Sequence, residues 1–128
     1  MGKILHAEDD EDDAFLLSHA FRKVGIAHVV VRVEDGQAAI TYLSENPRPD
    51  LVILDLKMPT MGGFDVLAFM RGKPEFKDLP VIVLTASELP EDVAKVKSMD
   101  CGDYFVKTTD WKAIATALKS RIDTILVR

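Results

Sequence analysis

Five short and almost wholly apolar segments recur along the chain, and longer segments with helical spacing of apolar residues separate them. These candidate strands are residues 4–7, 29–33, 51–54, 81–84 and 104–106. Strands that are apolar on both faces are typical of parallel sheets, which are covered by helices on each side. Parallel neighbours also need long crossover connections, which the intervening segments are long enough to supply. The alternation therefore predicts an α/β fold, a doubly wound domain of five βα units.

Composition sets the scale of the domain and excludes several classes of function. A chain of 128 residues with 48% hydrophobic content suits one domain, expected over 1–128 with no output domain. The net charge of −5, with scattered basic residues, argues against direct binding of nucleic acid. A single cysteine excludes an internal disulfide. No apolar run approaches the roughly 18 residues of a membrane span, so we expect a cytoplasmic protein without membrane insertion.

Polar side chains stand at the ends of four of the predicted strands. Glu8 and Asp9 follow the first strand, and Asp55 follows the third. Thr85 and Lys107 follow the fourth and the fifth. Ligands of open parallel sheets bind beyond the carboxyl ends of the strands, so these side chains are expected to form one site if the strands are neighbours.

The carboxylates of this predicted site indicate a magnesium ion. Clustered carboxylates raise one another's pKa unless a cation joins them, and Mg²⁺ prefers one or two carboxylates together with water and phosphate oxygens. Asp9 and Asp55 are the best candidate ligands, with Glu8 placed to act through a bound water. The backbone carbonyl of Lys57 could add a further oxygen.

Asp55 follows the most uniformly apolar strand, where a carboxylate is rigidly held and can act as a nucleophile toward a phosphoryl group. The metal, the Thr85 hydroxyl and the Lys107 ammonium would then share the oxygens of the transferred group. Catalysis of this kind depends mainly on positioning and on stabilisation of charge.

The segments that carry these residues resemble the signature blocks of two-component response-regulator receiver domains. They are ILHAEDD at 4–10, LVILDLKMP at 51–59, GGFD at 62–65, VLTAS at 83–87 and YFVK at 104–107. The resemblance spans the whole chain and is greatest to stand-alone regulators, which include chemotaxis regulators and those paired with phytochrome kinases. It implies a flavodoxin-like sheet with strand order 2-1-3-4-5.

The resemblance implies that the protein is a phosphorylation switch rather than an enzyme, with at most self-phosphorylation and autodephosphorylation. Asp55 would be the phosphoacceptor, contacted by Thr85 and Lys107, and Tyr104 would be the aromatic switch that turns inward when Thr85 moves toward the phosphate. The implied Mg²⁺ ligands are Glu8, Asp9, Asp55 and the Lys57 carbonyl. The implied partners are a sensor histidine kinase or phosphotransfer protein and a downstream protein target, and a homodimer is also compatible.

One departure from the family pattern concerns the residue after Lys107. The pattern has a proline there, joined through a cis bond, whereas this chain has Thr108. A cis bond before a residue other than proline would cost about 3 kcal/mol, so the shape of this loop is open from the sequence.

Other interpretations remain open at this point. The fold could serve as a binding module that signals without phosphorylation. A phosphohydrolase is disfavoured because Lys57 occupies the place of its second acid. A flavin or dinucleotide carrier is disfavoured because the first loop is acidic, where such a carrier needs Gly or Ser/Thr to bind phosphate. Asp10, Glu11, Asp12 and Asp13 are interpreted as helix-capping residues. Lys57 and Ser87 are placed to admit or obstruct the water that hydrolyses an aspartyl phosphate.

Overall fold

The chain folds into the five βα units that the sequence predicts. The computed structural model describes residues 2–127, so residues 1 and 128 of the predicted domain lie outside it. The strands are β1 (Lys3–Ala7), β2 (Val29–Val33), β3 (Leu51–Leu54), β4 (Val81–Thr85) and β5 (Asp103–Val106). The helices are α1 (Glu11–Lys23), α2 (Gly36–Glu45), α3 (Gly63–Arg71), α4 (Pro90–Ser98) and α5 (Trp111–Ile125). The predicted strand bounds are confirmed to within one residue at each end.

All neighbouring strands are parallel, and their order is β2-β1-β3-β4-β5, which confirms the predicted flavodoxin-like sheet. The register pairs Ala7 with Leu54 and Leu54 with Val83. It also pairs Thr85 with Val106. The carboxyl ends of four adjacent strands therefore lie side by side, at the edge where open α/β sheets bind their ligands.

Alternate residues of each central strand pack on opposite faces of the sheet. One face, under α2, α3 and α4, buries Leu5, Val52, Leu54, Val81 and Val83. The other face, under α1 and α5, buries Ile4, Leu51, Ile53, Ile82 and Leu84. Because successive side chains of a strand point to opposite faces, both faces of the sheet present apolar side chains to the helices that cover them. Full burial of such a side chain contributes about 1.5–3 kcal/mol, so β3, which is buried along its whole length, gives Asp55 a rigid base.

Helix α1 begins and ends on clear sequence signals. Asp10 is its N-cap and accepts a hydrogen bond from the Asp13 amide at 3.0 Å. Gly25 follows its end with a φ of +82°, which suits glycine. Leu17 and Phe21 face the core, whereas Phe15, which shares the same apolar pattern, is 63% exposed.

Within residues 2–127, none of the helices combines the length and the apolar content that a bilayer-spanning segment requires.

Candidate functional site

Backbone hydrogen bonds extend the sheet past its strand ends and fix the residues of the site. The Asp55 amide donates to the carbonyl of Ala7 at 3.2 Å, and the Lys107 amide donates to the carbonyl of Thr85 at 2.8 Å. Each of these predicted site residues is therefore tied to the neighbouring strand. Their side chains leave the sheet at the same edge.

The Lys107 ammonium joins three carboxylates at this edge. Its Nζ lies 2.6 Å from Oε1 of Glu8, 2.9 Å from Oδ2 of Asp55 and 2.9 Å from Oδ2 of Asp13. The side chains of Lys107, Glu8 and Asp55 are almost fully buried. Buried charges are stable only when paired, so this cluster depends on all of its members.

Asp13 is the member that the sequence did not predict. Its backbone amide donates to the capping residue Asp10, as expected for the first turn of a helix, but its side chain reaches Lys107. The two residues are 94 positions apart in the chain, and the packing of α1 against α5, the helix that follows Lys107, brings them together. A pattern within the acidic segment could not have distinguished Asp13 from its exposed neighbours.

The ionisation of Glu8 and Lys107 reflects their burial and their mutual contact. Burial raises the pKa of Glu8 to about 7, against the lowering effect of its hydrogen bond to Lys107. Burial alone would lower the pKa of Lys107, but its hydrogen bonds to Glu8, Asp13 and Asp55 outweigh this effect and raise it. The ammonium is therefore fully charged at neutral pH, while Glu8 is poised to ionise when a second cation arrives.

Three carboxylates have donor oxygens placed closely enough to hold one ion. One ligand atom each from Glu8, Asp9 and Asp55 lies within 4.8 Å of the others. Asp9 is exposed, so the group is open to solvent on one side. Arg32 steadies the backbone here by donating to the carbonyls of Glu8 at 3.1 Å and Asp9 at 3.3 Å. A set of carboxylate oxygens with an open side fits a hard divalent cation that keeps part of its water.

The hydroxyl of Thr85, at the carboxyl end of β4, is buried without a partner. Thr85 is 0% exposed, and within the described part of the chain its Oγ1 is the one buried side-chain nitrogen or oxygen that lacks a hydrogen bond. A buried polar group without a partner costs about 1–3 kcal/mol. Such a group can donate to an oxygen of a ligand that enters the site.

Tyr104 lies outside the carboxylate cluster and contacts the loop after β4. Its hydroxyl donates to the carbonyl of Ser87 at 2.9 Å. Partial burial raises the pKa of the phenol, so it stays protonated and can donate at neutral pH. The structure thus links the last strand of the sheet to the loop that directly follows Thr85.

The N-terminus of α3 packs directly against the backbone of Asp55. A Cβ atom placed on Gly63 would lie 2.3 Å from the Asp55 carbonyl oxygen and 2.9 Å from Cα of Leu56. Only glycine allows this close approach, so Gly63 helps to fix the position of Asp55.

The loop after β5 contains Thr108, at the place where the sequence left the peptide geometry open. No peptide bond within residues 2–127 is cis, so Lys107 and Thr108 are joined by a trans bond. Lys107 still reaches its three carboxylates with this geometry.

Comparison with known proteins agrees with this fold. The family model of the response regulator receiver domain matches residues 4–119. The chain is 33% identical over 115 residues to response regulator Rcp1 of Synechocystis, covering 85% of this chain and 78% of that protein. Among solved structures, the phosphorylated cyanobacterial phytochrome response regulator RcpA matches with a TM-score of 0.88 and 30% identity, over 98% of this chain and 94% of that chain. The Mn²⁺-bound form of Rcp1 matches with a TM-score of 0.87 and 29% identity, over 99% and 96%.

The chain belongs to the response regulator receiver domain family, as its sequence motifs indicated. Receiver domains of response regulators are signalling proteins rather than classical enzymes, and they accept phosphoryl groups from histidine kinases and act on downstream targets. Within this family, the chain is similar to regulators that stand alone and are associated with phytochromes.

Proposed function

We propose that this protein is a phosphorylation switch that accepts a phosphoryl group on Asp55 from the phosphohistidine of a sensor kinase or phosphotransfer protein. The observation that carries the proposal is the contact of the Asp55 carboxylate with the Lys107 ammonium at 2.9 Å, in a buried cluster that contains further carboxylates. A buried aspartate with an adjacent fixed cation has both a nucleophilic oxygen and a counter-charge for the group it would receive.

We assign Mg²⁺ as the metal of this site, with Glu8, Asp9, Asp55 and the Lys57 carbonyl as its ligands, Glu8 acting through a bound water. The carboxylate oxygens of Glu8, Asp9 and Asp55 lie close together. They are hard donors that suit Mg²⁺ better than a softer metal. When bound, the ion would neutralise negative charge on the phosphoryl oxygens. The Mn²⁺ of the Rcp1 structure is consistent with a divalent cation at such a site.

The residues of the chain have complementary parts in the transfer. An Oδ atom of Asp55 forms the new bond to phosphorus while the bond from phosphorus to the donor imidazole nitrogen breaks, and that nitrogen leaves with its electron pair. Lys107 and the unpartnered hydroxyl of Thr85 donate to the phosphoryl oxygens as their charge develops. Hydrolysis of the aspartyl phosphate by water would later return the switch to its starting state.

The signal would leave the site through Thr85 and Tyr104. A donor bond from Thr85 to a phosphoryl oxygen would draw the loop after β4 toward Asp55. Tyr104 is bonded to the Ser87 carbonyl of that loop, so its position would respond. A downstream protein, or a second copy of this chain, would read the altered surface beside α4, β5 and α5. We place the switch in the cytoplasm, where kinase and target would meet it.

The alternative is a receiver-fold binding module that signals without phosphate. The burial of a partnerless hydroxyl at Thr85 argues against it, because a module without phosphate would gain stability by replacing that group.

Labelling with a small phosphodonor tests the proposal. Purified protein would be incubated with labelled acetyl phosphate in Mg²⁺ or in EDTA, alongside Asp55→Asn and the exposed control Asp78→Asn. We expect the wild type and Asp78→Asn to take up equal amounts of label in Mg²⁺. Asp55→Asn, and the wild type in EDTA, should show no labelling above background. Full labelling of Asp55→Asn would reject the assignment. Failure of the wild type to bind Mg²⁺ or take up label would favour the binding module.

A further inference from the structure

Asp92 is a buried acidic residue that neither the sequence motifs nor the proposed site explains. It lies in the first turn of α4 and is only 9% exposed. Buried carboxylates need hydrogen-bonded or charged partners. The partners of Asp92 are Ser87 and Lys57, the two residues that the sequence placed near the path of hydrolytic water.

The first contact joins Asp92 to the loop after β4. The Ser87 hydroxyl donates to Oδ2 of Asp92 at 2.5 Å and accepts from the amide of Leu89 at 3.3 Å. Leu89 is the N-cap of α4 and has no side-chain capping bond of its own. This pair therefore supplies the cap that the helix otherwise lacks, and a capping role accounts for Ser87.

A capping role does not account for the second contact. Nζ of Lys57 lies 3.8 Å from the same Oδ2 atom of Asp92, and among residues 2–127 no other carboxylate is ion-paired with this ammonium. The backbone of Lys57 belongs to the phosphorylation site, because its amide donates to Oδ1 of Asp55 at 3.2 Å. The Lys57 side chain is 66% exposed and is paired with α4 only through this contact, while its main chain is bonded to Asp55.

We propose that Asp92 is a positioning residue that keeps the Lys57 ammonium away from the phosphorylated Asp55 and so shortens the lifetime of the phosphoryl group. This inference rests on the proposed function. Phosphorylation replaces the single negative charge of the Asp55 carboxylate by a phosphoryl group with close to two, a gain of about one negative charge that lies further from the backbone. Lys57 is two residues from Asp55, and its ammonium is carried on a flexible four-carbon stem. Without Asp92, the phosphoryl group on Asp55 would attract this ammonium.

A Lys57 side chain drawn onto the phosphoryl group would slow its hydrolysis. Water must approach phosphorus roughly in line with the bond to the leaving Asp55 oxygen. The ammonium and its stem, placed over the outer phosphoryl oxygens, would occupy that approach. Asp92 keeps the approach open by competing for the same cation.

A double-mutant cycle tests the proposal. Wild type, Asp92→Asn, Lys57→Met and the double variant would be labelled with acetyl phosphate and Mg²⁺, transferred into donor-free buffer, and followed for loss of label. The Lys57 substitution leaves its main-chain carbonyl in place. We expect Asp92→Asn to lengthen the phosphoryl half-life about threefold, the size expected for a partly exposed ion pair. The half-lives of Lys57→Met and the double variant should be equal.

The choice of test variant and two controls separate positioning from a structural effect. Asp92→Asn keeps an oxygen acceptor for the Ser87 hydroxyl, and Asp92→Glu keeps the charge and should restore a half-life near that of the wild type. Urea unfolding would verify that each variant is folded. An unchanged or shorter half-life in Asp92→Asn would overturn this inference but not the proposed function. The same holds if Asp92→Asn lengthens the half-life equally in the Lys57→Met background. A wild type that takes up no label would overturn the proposed function, and this inference with it.

Discussion

The ammonium of Lys107 lies 2.9 Å from Oδ2 of Asp55, although 52 residues separate them in the chain. The same ammonium contacts Glu8 and Asp13, so one cation counters three carboxylates. The cluster keeps a net negative charge that favours a further cation. This relationship governs both the stability of the site and its expected chemistry.

Removal of the Lys107 charge should destabilise the protein most when metal is absent. Lys107→Met leaves the carboxylates of Glu8 and Asp55 buried and unpaired, which we expect to lower the free energy of unfolding by about 3 kcal/mol in EDTA. Millimolar Mg²⁺ should recover part of this loss, because a divalent cation would replace the missing charge. Urea denaturation in both buffers measures the difference. Equal stability of variant and wild type in EDTA would contradict the account.

Binding of Mg²⁺ should strengthen as the pH rises through 7. The pKa of Glu8 in the folded protein is raised to about 7, so the carboxyl is mostly protonated below that pH and ionised above it. A metal site favours the ionised form. We expect affinity to increase about tenfold between pH 6 and pH 8, the effect of one titrating group.

Calorimetric titration at several pH values checks this dependence. Glu8→Gln is the matched control, and it should bind Mg²⁺ more weakly with a smaller dependence on pH. A wild-type affinity that is the same at pH 6 and pH 8 would show that Glu8 does not take part.

Substitutions of Thr85 should separate stability from function. Thr85→Val replaces a buried hydroxyl that has no partner, so the free energy of unfolding should stay level or rise by about 1 kcal/mol. Phosphorylation should nevertheless slow by about tenfold, because one donor to the phosphoryl oxygens is lost. Thr85→Ser keeps the donor and should react at nearly the wild-type rate, at some cost in stability from the lost methyl group. Phosphorylation of Thr85→Val at the wild-type rate would show that the hydroxyl does not assist the transfer.

Gly63→Ala should disturb the site from outside it. The added methyl would lie 2.3 Å from the Asp55 carbonyl oxygen, so α3 or the backbone after β3 must shift. We expect a loss of about 1–3 kcal/mol in the free energy of unfolding. Gly102→Ala is the control, since nothing lies within 4 Å of its added Cβ. Equal stability of the two variants by thermal or urea unfolding would refute the close packing.

The sheet could be predicted because its information is local in the sequence. Each central strand is a short apolar run, and the residue that ends the run stands at the edge of the sheet where ligands bind. Asp55 and Lys107 could therefore be identified as neighbours once the strands were placed beside one another. The strand order was predicted from the resemblance of the surrounding motifs to those of receiver domains.

Contacts between distant helices and loops could not be predicted in this way. Asp13 has the sequence context of a capping residue, and its bond to Lys107 depends on the packing of α1. Asp92 likewise has the context of an acid in the first turn of a helix, and its burial between Ser87 and Lys57 follows from the path of the loop after β4. Charged residues near helix N-termini are common, so the pattern alone could not reveal which of them make contacts with distant parts of the chain.

Direct identification of the phosphorylated residue tests the central claim most closely. Protein labelled with acetyl phosphate and Mg²⁺ would be reduced with borohydride, which converts an aspartyl phosphate to homoserine, and then digested for peptide mass spectrometry. We predict homoserine at position 55 in the wild type, and none there in Asp55→Asn or in protein held in EDTA. Homoserine at another aspartate, with position 55 unmodified, would contradict the assignment of Asp55 as the phosphoacceptor.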